Sequence, residues 1–233
     1  MKLVVMIPAY NEELSIGRVI EEIPRVISGI KSVEVLVIDD GCQDNTKHVA
    51  LSAGAERVVS HQHNLGLASA FRTGLRISLQ MGADVIVNTD ADRQYNQHQI
   101  PALVKPIVNG EADLVLGSRF KGRIEAMPIG NRIGNLLATF VTRVLSGYPT
   151  SDAQSGFRAF SRQLAKFLTI TSRKTYVQET IIRAARGGFS LFEIPIDFRK
   201  RPGESRLISS IWSYAFNVLP DLARCYMDLI RTH

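Results

Sequence analysis

Leu3-Val4-Val5-Met6-Ile7-Pro8-Ala9-Tyr10-Asn11-Glu12 opens the chain, and Val33-Glu34-Val35-Leu36-Val37-Ile38-Asp39-Asp40-Gly41 follows the same plan, an apolar run ending in a polar turn. Each run is rich in Val and Ile and too short for a helix, which reads as a strand buried on both faces. Similar runs lie at Arg57–Ser60, Asp84–Asn88 and Asp113–Leu116. Between them stand helix-like segments at Glu13–Ser28, Asn45–Ala53, Leu67–Met81 and Ile100–Asn109, with Asp44 placed to cap the second and Gly54 to end it. Strand–helix alternation predicts an α/β fold: a mostly parallel, doubly wound sheet with right-handed crossovers.

The pattern changes after Arg119. Ile129, Ile133, Leu136, Leu137, Phe140, Val144 and Leu145 recur at helical spacing and predict an amphipathic helix of about twenty residues. A loop at Tyr148–Ser155, short helices, a strand at Leu191–Ile196, a charged loop at Phe198–Ser205 and a last helix at Leu207–Ile230 complete the reading. No linker or repeat divides the 233 residues, so residues 1–233 read as one domain. With 45% hydrophobic and 21% charged residues the chain is an ordinary globular protein, which excludes disorder and a disulfide scaffold. Cys42 and Cys225 fit no metal or redox spacing and read as reduced thiols. A net charge of +6 suits an anionic partner without choosing between phosphate, nucleic acid and an acidic membrane. No secretory signal and no membrane span is expected: the longest apolar stretch, Ile211–Tyr226, is broken by Pro220, Asp221 and Arg224.

In such a sheet, ligands gather beyond the carboxyl ends of the strands. There the chain places Glu12, Asp39 and Asp40, then Asp90 and Asp92, then Gly117-Ser118-Arg119. Each Asp taken singly also suits a helix cap. Asp90 and Asp92 are the best candidates for more. Residues i and i+2 of an extended segment point the same way, and Gln94 joins them if the extension continues. Two carboxylates and an amide suit Mg²⁺ or Mn²⁺, with a diphosphate completing the shell. Neither a Gly-x-Gly-x-x-Gly nor a Walker sequence follows the first strand, which argues against a dinucleotide oxidoreductase or a P-loop NTPase.

The ordered set Pro8-Ala9-Tyr10-Asn11-Glu12, Asp39-Asp40-Gly41, Asn64-x-Gly66, Asp90-Ala91-Asp92 and Gly117-Ser118-Arg119 resembles the inverting family-two glycosyltransferases of GT-A fold. Asp152 to Arg158, Glu193 to Pro195 and Arg201 to Arg206 are similar to the polyprenyl-phosphate branch, whose best-known members are dolichyl-phosphate mannose synthases. Cys42 departs from the serine more usual there. The resemblance implies a nucleotide-sugar half over residues 1–119 and an acceptor half over residues 120–233. It implies that Pro8, Tyr10, Glu12, Ile38 and Asp40 hold the base and ribose, and that Asp90, Ala91 and Asp92, with Gln94, serve the diphosphate and metal. Arg201 and Arg206 would close over the donor, a role that makes sense for a basic, glycine-containing loop beside two phosphates. A solvated charge run is the plainer reading of Arg199, Lys200 and Arg201.

The acceptor implied is a polyprenyl phosphate. Such a phosphate arrives as an anion and needs cations rather than a base, and Arg119 and Arg132 are placed to supply them, although either also suits a structural ion pair. Asp152 is the obvious base if the acceptor is a hydroxyl. The helices bearing Arg132, Arg143, Arg224 and Arg231 suit either an anionic bilayer surface or, as such stripes more commonly do, the core. The reading is a metal-dependent, inverting transferase from a GDP- or UDP-sugar to a polyprenyl phosphate, cytoplasmic and peripheral on the membrane, with no nucleic-acid partner. Its rivals are a transferase to a hydroxyl acceptor and a non-catalytic nucleotide-sugar-binding module.

Overall fold

The computed structural model describes residues 1–200. Its elements run β1 (Lys2–Ala9), α1 (Ile16–Glu21), β2 (Ser32–Asp39), α2 (Thr46–Ser52), β3 (Arg57–Ser60), α3 (Leu67–Gln80), β4 (Val85–Asn88), α4 (Ile100–Val108) and β5 (Leu114–Ser118). They continue with α5 (Ile129–Ser146), β6 (Arg158–Ser161), α6 (Arg162–Phe167), α7 (Val177–Arg186) and β7 (Leu191–Pro195). The seven strands lie in the order β3-β2-β1-β4-β6-β5-β7. β1 pairs in parallel with β2 on one side and β4 on the other, so the strand order reverses there and opens a crevice at their carboxyl ends.

Alternation along each strand builds two cores. Leu3, Val5 and Ile7 of β1, with Val35, Val37, Val85 and Val87, face α1, α2 and α4. Val4 and Met6, with Leu36, Ile38 and Ile86, face α3, α6 and α7. Both faces are covered, which is why these strands are apolar throughout.

The structure departs from the sequence reading in three places. The first helix spans only Ile16–Glu21 rather than Glu13–Ser28. Pro24 lacks an amide hydrogen and disfavours helical geometry at Ile23, so the helix ends before it. The strand β6, which begins at Arg158, the last residue of the motif from Asp152, pairs antiparallel with both β4 and β5. Its four residues, Arg158-Ala159-Phe160-Ser161, include no Val or Ile, the residues by which the other strands are legible. The amphipathic helix is present as α5 with its stripe turned outward. Ala138, Thr139, Thr142 and Ser146 are its buried residues, while Ile129, Ile133, Leu136, Leu137, Phe140 and Val144 are exposed, Ile129 by 78% and Phe140 by 61%. The commoner, core-facing expectation for this stripe does not hold. Among the described residues no helix is long and apolar enough to cross a membrane. The last helix expected at Leu207–Ile230, and the charged loop beyond Lys200, lie outside the described residues.

Candidate active site

The loops after β1 and β2 are sewn to each other. Asn11, in the left-handed region at φ 53°, donates its amide to Cys42 Sγ at 3.1 Å and accepts from the Gln43 amide at 2.8 Å. The Glu12 amide donates to Thr46 Oγ1 at 2.7 Å, and the Asn45 amide to Glu13 at 2.9 Å. Asp44 accepts from the Thr46 amide at 3.0 Å, but the cap position of α2 is Asn45, whose side chain makes no capping bond, so the cap expected at Asp44 falls one residue later. Burial pushes the Cys42 thiol up to about 11, which keeps it a neutral thiol. Burial also works to raise the Asp39 carboxyl, but hydrogen bonds from Cys42 and Ser60 outweigh it and hold the group below its ordinary value. Tyr10 stands at the crevice, 38% exposed, beside the half-buried Pro8 and Glu12.

Asp40 and Ile38 are both buried. Asp40 is buried, and its oxygens accept from the amides of Leu65 at 3.0 Å and Gly66 at 2.8 Å. Its Oδ1 also lies 2.7 Å from His61 Nδ1, and His61 Nε2 lies 2.9 Å from Thr73 Oγ1. The carboxylate thus ties the segment between β3 and α3 over Gly41. A Cβ at Gly41 would lie 2.5 Å from the His63 carbonyl carbon, and its φ of +76° also calls for glycine. Ile38 is fully buried in the core against α3.

After β4, the chain does not stay extended. Ala91 and Asp92 lie in a turn and Arg93 has a φ of 66°, so the alternation expected to align Asp90, Asp92 and Gln94 is lost. Instead, Gln94 donates its amide to Asp92 Oδ1 at 3.1 Å, and its Nε2 reaches toward the Arg199 carbonyl at 3.5 Å. Asp90 packs against the loop before β6: a Cβ at Gly156 would lie 2.9 Å from Asp90 Oδ1 and 3.1 Å from the Tyr176 hydroxyl. Burial and the nearby Asp90 charge raise the hydroxyls of both Tyr95 and Tyr176, which stay protonated. Among the described residues no cluster of three or more His, Cys, Asp or Glu side chains could hold a metal. The donor set at Asp90 and Asp92 fits the other kind of site, in which one or two carboxylates hold Mg²⁺ or Mn²⁺ jointly with substrate phosphates.

Arg119 and Asp152 form one buried unit. Arg119 Nε donates to Asp152 Oδ2 at 2.7 Å and Nη2 to Oδ1 at 2.9 Å, with the Arg119 and Gln154 amides adding bonds of 3.1 Å each. The guanidinium carbon lies 5.1 Å from the centre of the Phe198 ring. Burial works to raise the Asp152 carboxyl, but the Arg119 charge prevails and holds it below its ordinary value. Asp152, the candidate base for a hydroxyl acceptor, is thus wholly buried and bidentately paired. Arg132, by contrast, stands exposed on the first turn of α5, its amide bonded to Pro128. Arg199 is no solvated charge: it pairs with Glu22 at 2.7 Å and donates to Asn96 at 3.0 Å. Arg201 and Arg206 lie outside the described residues.

Several supporting residues carry no signal by which sequence alone assigns them a role. Glu193, its side chain buried, accepts from Thr150, from the Ser151 amide and hydroxyl, and from Lys121 Nζ at 2.8 Å, fixing the loop that leads into Asp152. Fully buried Arg158 donates to the carbonyls of Ala153, Ser155 and Val177, and burial pushes its guanidinium down to about 10. Glu193 and Arg158 both sit inside quoted motifs, which was the only available hint.

The family model described as glycosyl transferase family 2 matches residues 4–168. The chain belongs to glycosyl transferase family 2. It is 32% identical over 212 residues to the UDP-N-acetylglucosamine–dolichyl-phosphate N-acetylglucosaminyltransferase of Methanococcus voltae, covering 82% of this chain and 83% of that protein. It is 31% identical to the polyprenol monophosphomannose synthase of Mycolicibacterium smegmatis, covering 90% of this chain and 82% of that one. Among solved structures it resembles the glucosyl-3-phosphoglycerate synthase of Mycobacterium tuberculosis in complex with Mn²⁺ and UDP-glucose. The TM-score is 0.75 at 25% identity, over 96% of this chain and 78% of that one. This family-two chain is therefore a glycosyltransferase with the GT-A sheet, and it has relatives named for transfer to dolichyl or polyprenyl phosphate.

Proposed function

We propose that the enzyme transfers a sugar, with inversion, from a GDP- or UDP-sugar to a polyprenyl phosphate. The observation that carries the choice of acceptor is the state of Asp152, which is wholly buried and held by Arg119. A hydroxyl acceptor needs a base, and this carboxylate is not available as one; a phosphate acceptor is already ionised. The relatives' names point the same way.

In this reading Asp90 and Asp92 hold Mg²⁺ or Mn²⁺, a Lewis acid that offsets charge on the departing diphosphate. Pro8, Tyr10 and Glu12 line the nucleotide side, with Ile38 beneath and Asp40 holding the adjoining segment in place. Arg201 and Arg206 remain candidates for the donor phosphates by resemblance. Arg132 balances the acceptor phosphate, and Arg119, buried and with its charge met by Asp152, supports the site from beneath. An acceptor oxygen forms a bond to the anomeric carbon as the bond to the diphosphate breaks, and the diphosphate leaves with the electron pair. Attack opposite the leaving group inverts that carbon.

Peripheral membrane contact belongs to the same reading. The outward stripe of α5 lies on the helix that carries Arg132, so one element offers both an apolar face for lipid and a cation for its phosphate.

The test is transfer of radiolabelled sugar from GDP- and UDP-sugars into a solvent-extractable lipid. Arg132→Ala is expected to lower that transfer about 10- to 100-fold, the loss of one charge-assisted hydrogen bond of about 1.5–3 kcal/mol, with nucleotide binding unchanged. If no donor in the panel yields a lipid product, the proposal fails.

A further inference from the structure

The segment from Asp197 to Lys200 is bonded to the turn that carries Asp92, and nothing in the reaction above uses it. The Arg199 amide donates to the Gln94 carbonyl at 2.8 Å, and Tyr95 pairs with Phe198 as an antiparallel bridge. The Asp197 amide donates to Gln99 Oε1 at 2.9 Å. The Arg199 side chain locks these contacts. Its Nη1 donates to Glu22 Oε2 at 2.7 Å, just past α1, and its Nη2 to Asn96 Oδ1 at 3.0 Å. The two side chains of the ion pair are only 29% and 23% exposed, so solvent screens it in part. One guanidinium thus joins the end of α1, the turn after β4 and the segment after β7.

That turn needs holding. Arg93, next to Asp92, has a φ of 66°, a left-handed conformation that a residue other than glycine keeps only where its surroundings impose it. The residue after it, Gln94, donates its amide to Asp92 Oδ1 at 3.1 Å, so the placement of Gln94 sets the rotation of the Asp92 carboxylate. Gln94 is in turn held through its carbonyl by Arg199.

We infer that Arg199 is a positioning residue for the metal site: clamped to Glu22 and Asn96, it holds the turn from Asp92 to Asn96 in its left-handed course and so fixes the orientation of the Asp92 carboxylate. The inference rests on the proposed reading of Asp90 and Asp92 as the metal-holding pair. Groups bonded to a metal's ligand instead of to the metal set that ligand's orientation, and their loss lowers metal affinity about 10- to 100-fold. Arg199 acts one bond further out, through Gln94, which places its effect at the lower end of that range.

The experiment is a titration of Mn²⁺, followed by the loss of its free-ion electron paramagnetic resonance signal, into the full chain saturated with GDP or UDP. Arg199→Ala is expected to weaken Mn²⁺ binding about tenfold. Arg199→Lys keeps the charge facing Glu22 but not the fork that also reaches Asn96, and is expected to restore part of the affinity. Glu22→Gln removes the counter-charge and leaves the turn itself untouched; it is expected to weaken binding in the same direction and carries the test should Arg199→Ala fail to fold. Arg25→Ala is the control for lost stability alone. Arg25 pairs with Glu56 at 2.7 Å and donates to the Gly54 carbonyl at 2.8 Å, near the amino end of β2, and its loss is expected to leave Mn²⁺ binding as in the wild type. Wild-type affinity in folded Arg199→Ala or Glu22→Gln, or an equal loss in Arg25→Ala, makes Arg199 a staple of the fold and overturns the inference while leaving the metal reading standing. A wild-type chain that takes up no Mn²⁺ with either nucleotide overturns the metal reading and the inference with it.

Discussion

Asp152 is the residue at which function and stability are hardest to separate. Its carboxyl is held below the ordinary aspartate value by Arg119, against the opposing effect of burial. A group with a depressed folded pKa stabilises the fold above its unfolded value, and that stability is lost as the pH falls through the folded one. Asp152→Asn should therefore cost about 3–5 kcal/mol at neutral pH, because it leaves the Arg119 charge buried without its partner. The gap from wild type should narrow as the pH drops below the ordinary aspartate range. Urea unfolding of both proteins across acid pH checks this, and a gap that stays constant would show that the ionised pair is not its source. Asp40 makes a related point. Its carboxylate serves the chain's own amides and His61, so its contribution to donor binding passes through the segment it holds.

At the level of elements, α5 carries the least expected arrangement. The side chains that usually drive a helix into a core face outward here, and small or hydroxyl residues face inward. Replacing exposed apolar groups removes little packing, so Leu137→Ser with Phe140→Ser should change unfolding free energy by only about 0.5 kcal/mol at each site. The same pair should lose binding to vesicles of anionic lipid by at least about tenfold, since burying one such side chain is worth about 1.5–3 kcal/mol. Co-sedimentation with the vesicles reads the second effect and calorimetry the first. Large destabilisation with unchanged vesicle binding would mean that the stripe serves the fold.

For the whole molecule, the proposed donor site is a junction. The loops after β1, β2 and β4 meet at the reversal of strand order, and β6 inserts the motif of the second half between β4 and β5. A ligand joining those parts should act on global stability. At nucleotide and Mn²⁺ levels about a hundredfold above Kd, binding should add about 2.7 kcal/mol and raise Tm by about 5–10 °C. Asp92→Asn should abolish the Mn²⁺-dependent part of that rise and keep the rest. An identical Mn²⁺ response in the variant would remove Asp92 from the metal site.

The order of strands and helices through β5, the placement of Glu12, Asp40, Asp90 and Arg119 at strand ends, and the length of α5 were all legible in the sequence. Those features arise from local periodicity and turn chemistry, which adjacent residues carry. The pairing of Arg119 with Asp152, the use of Asp40 by the segment at Leu65 and Gly66, and the approach of Gly156 to Asp90 were decided only in three dimensions. Each joins residues 25 or more positions apart in the chain, and no local pattern encodes which of several carboxylates a given cation or amide will meet. The outward turn of α5 belongs with them: periodicity shows that one face of a helix is apolar, and tertiary packing decides what that face meets.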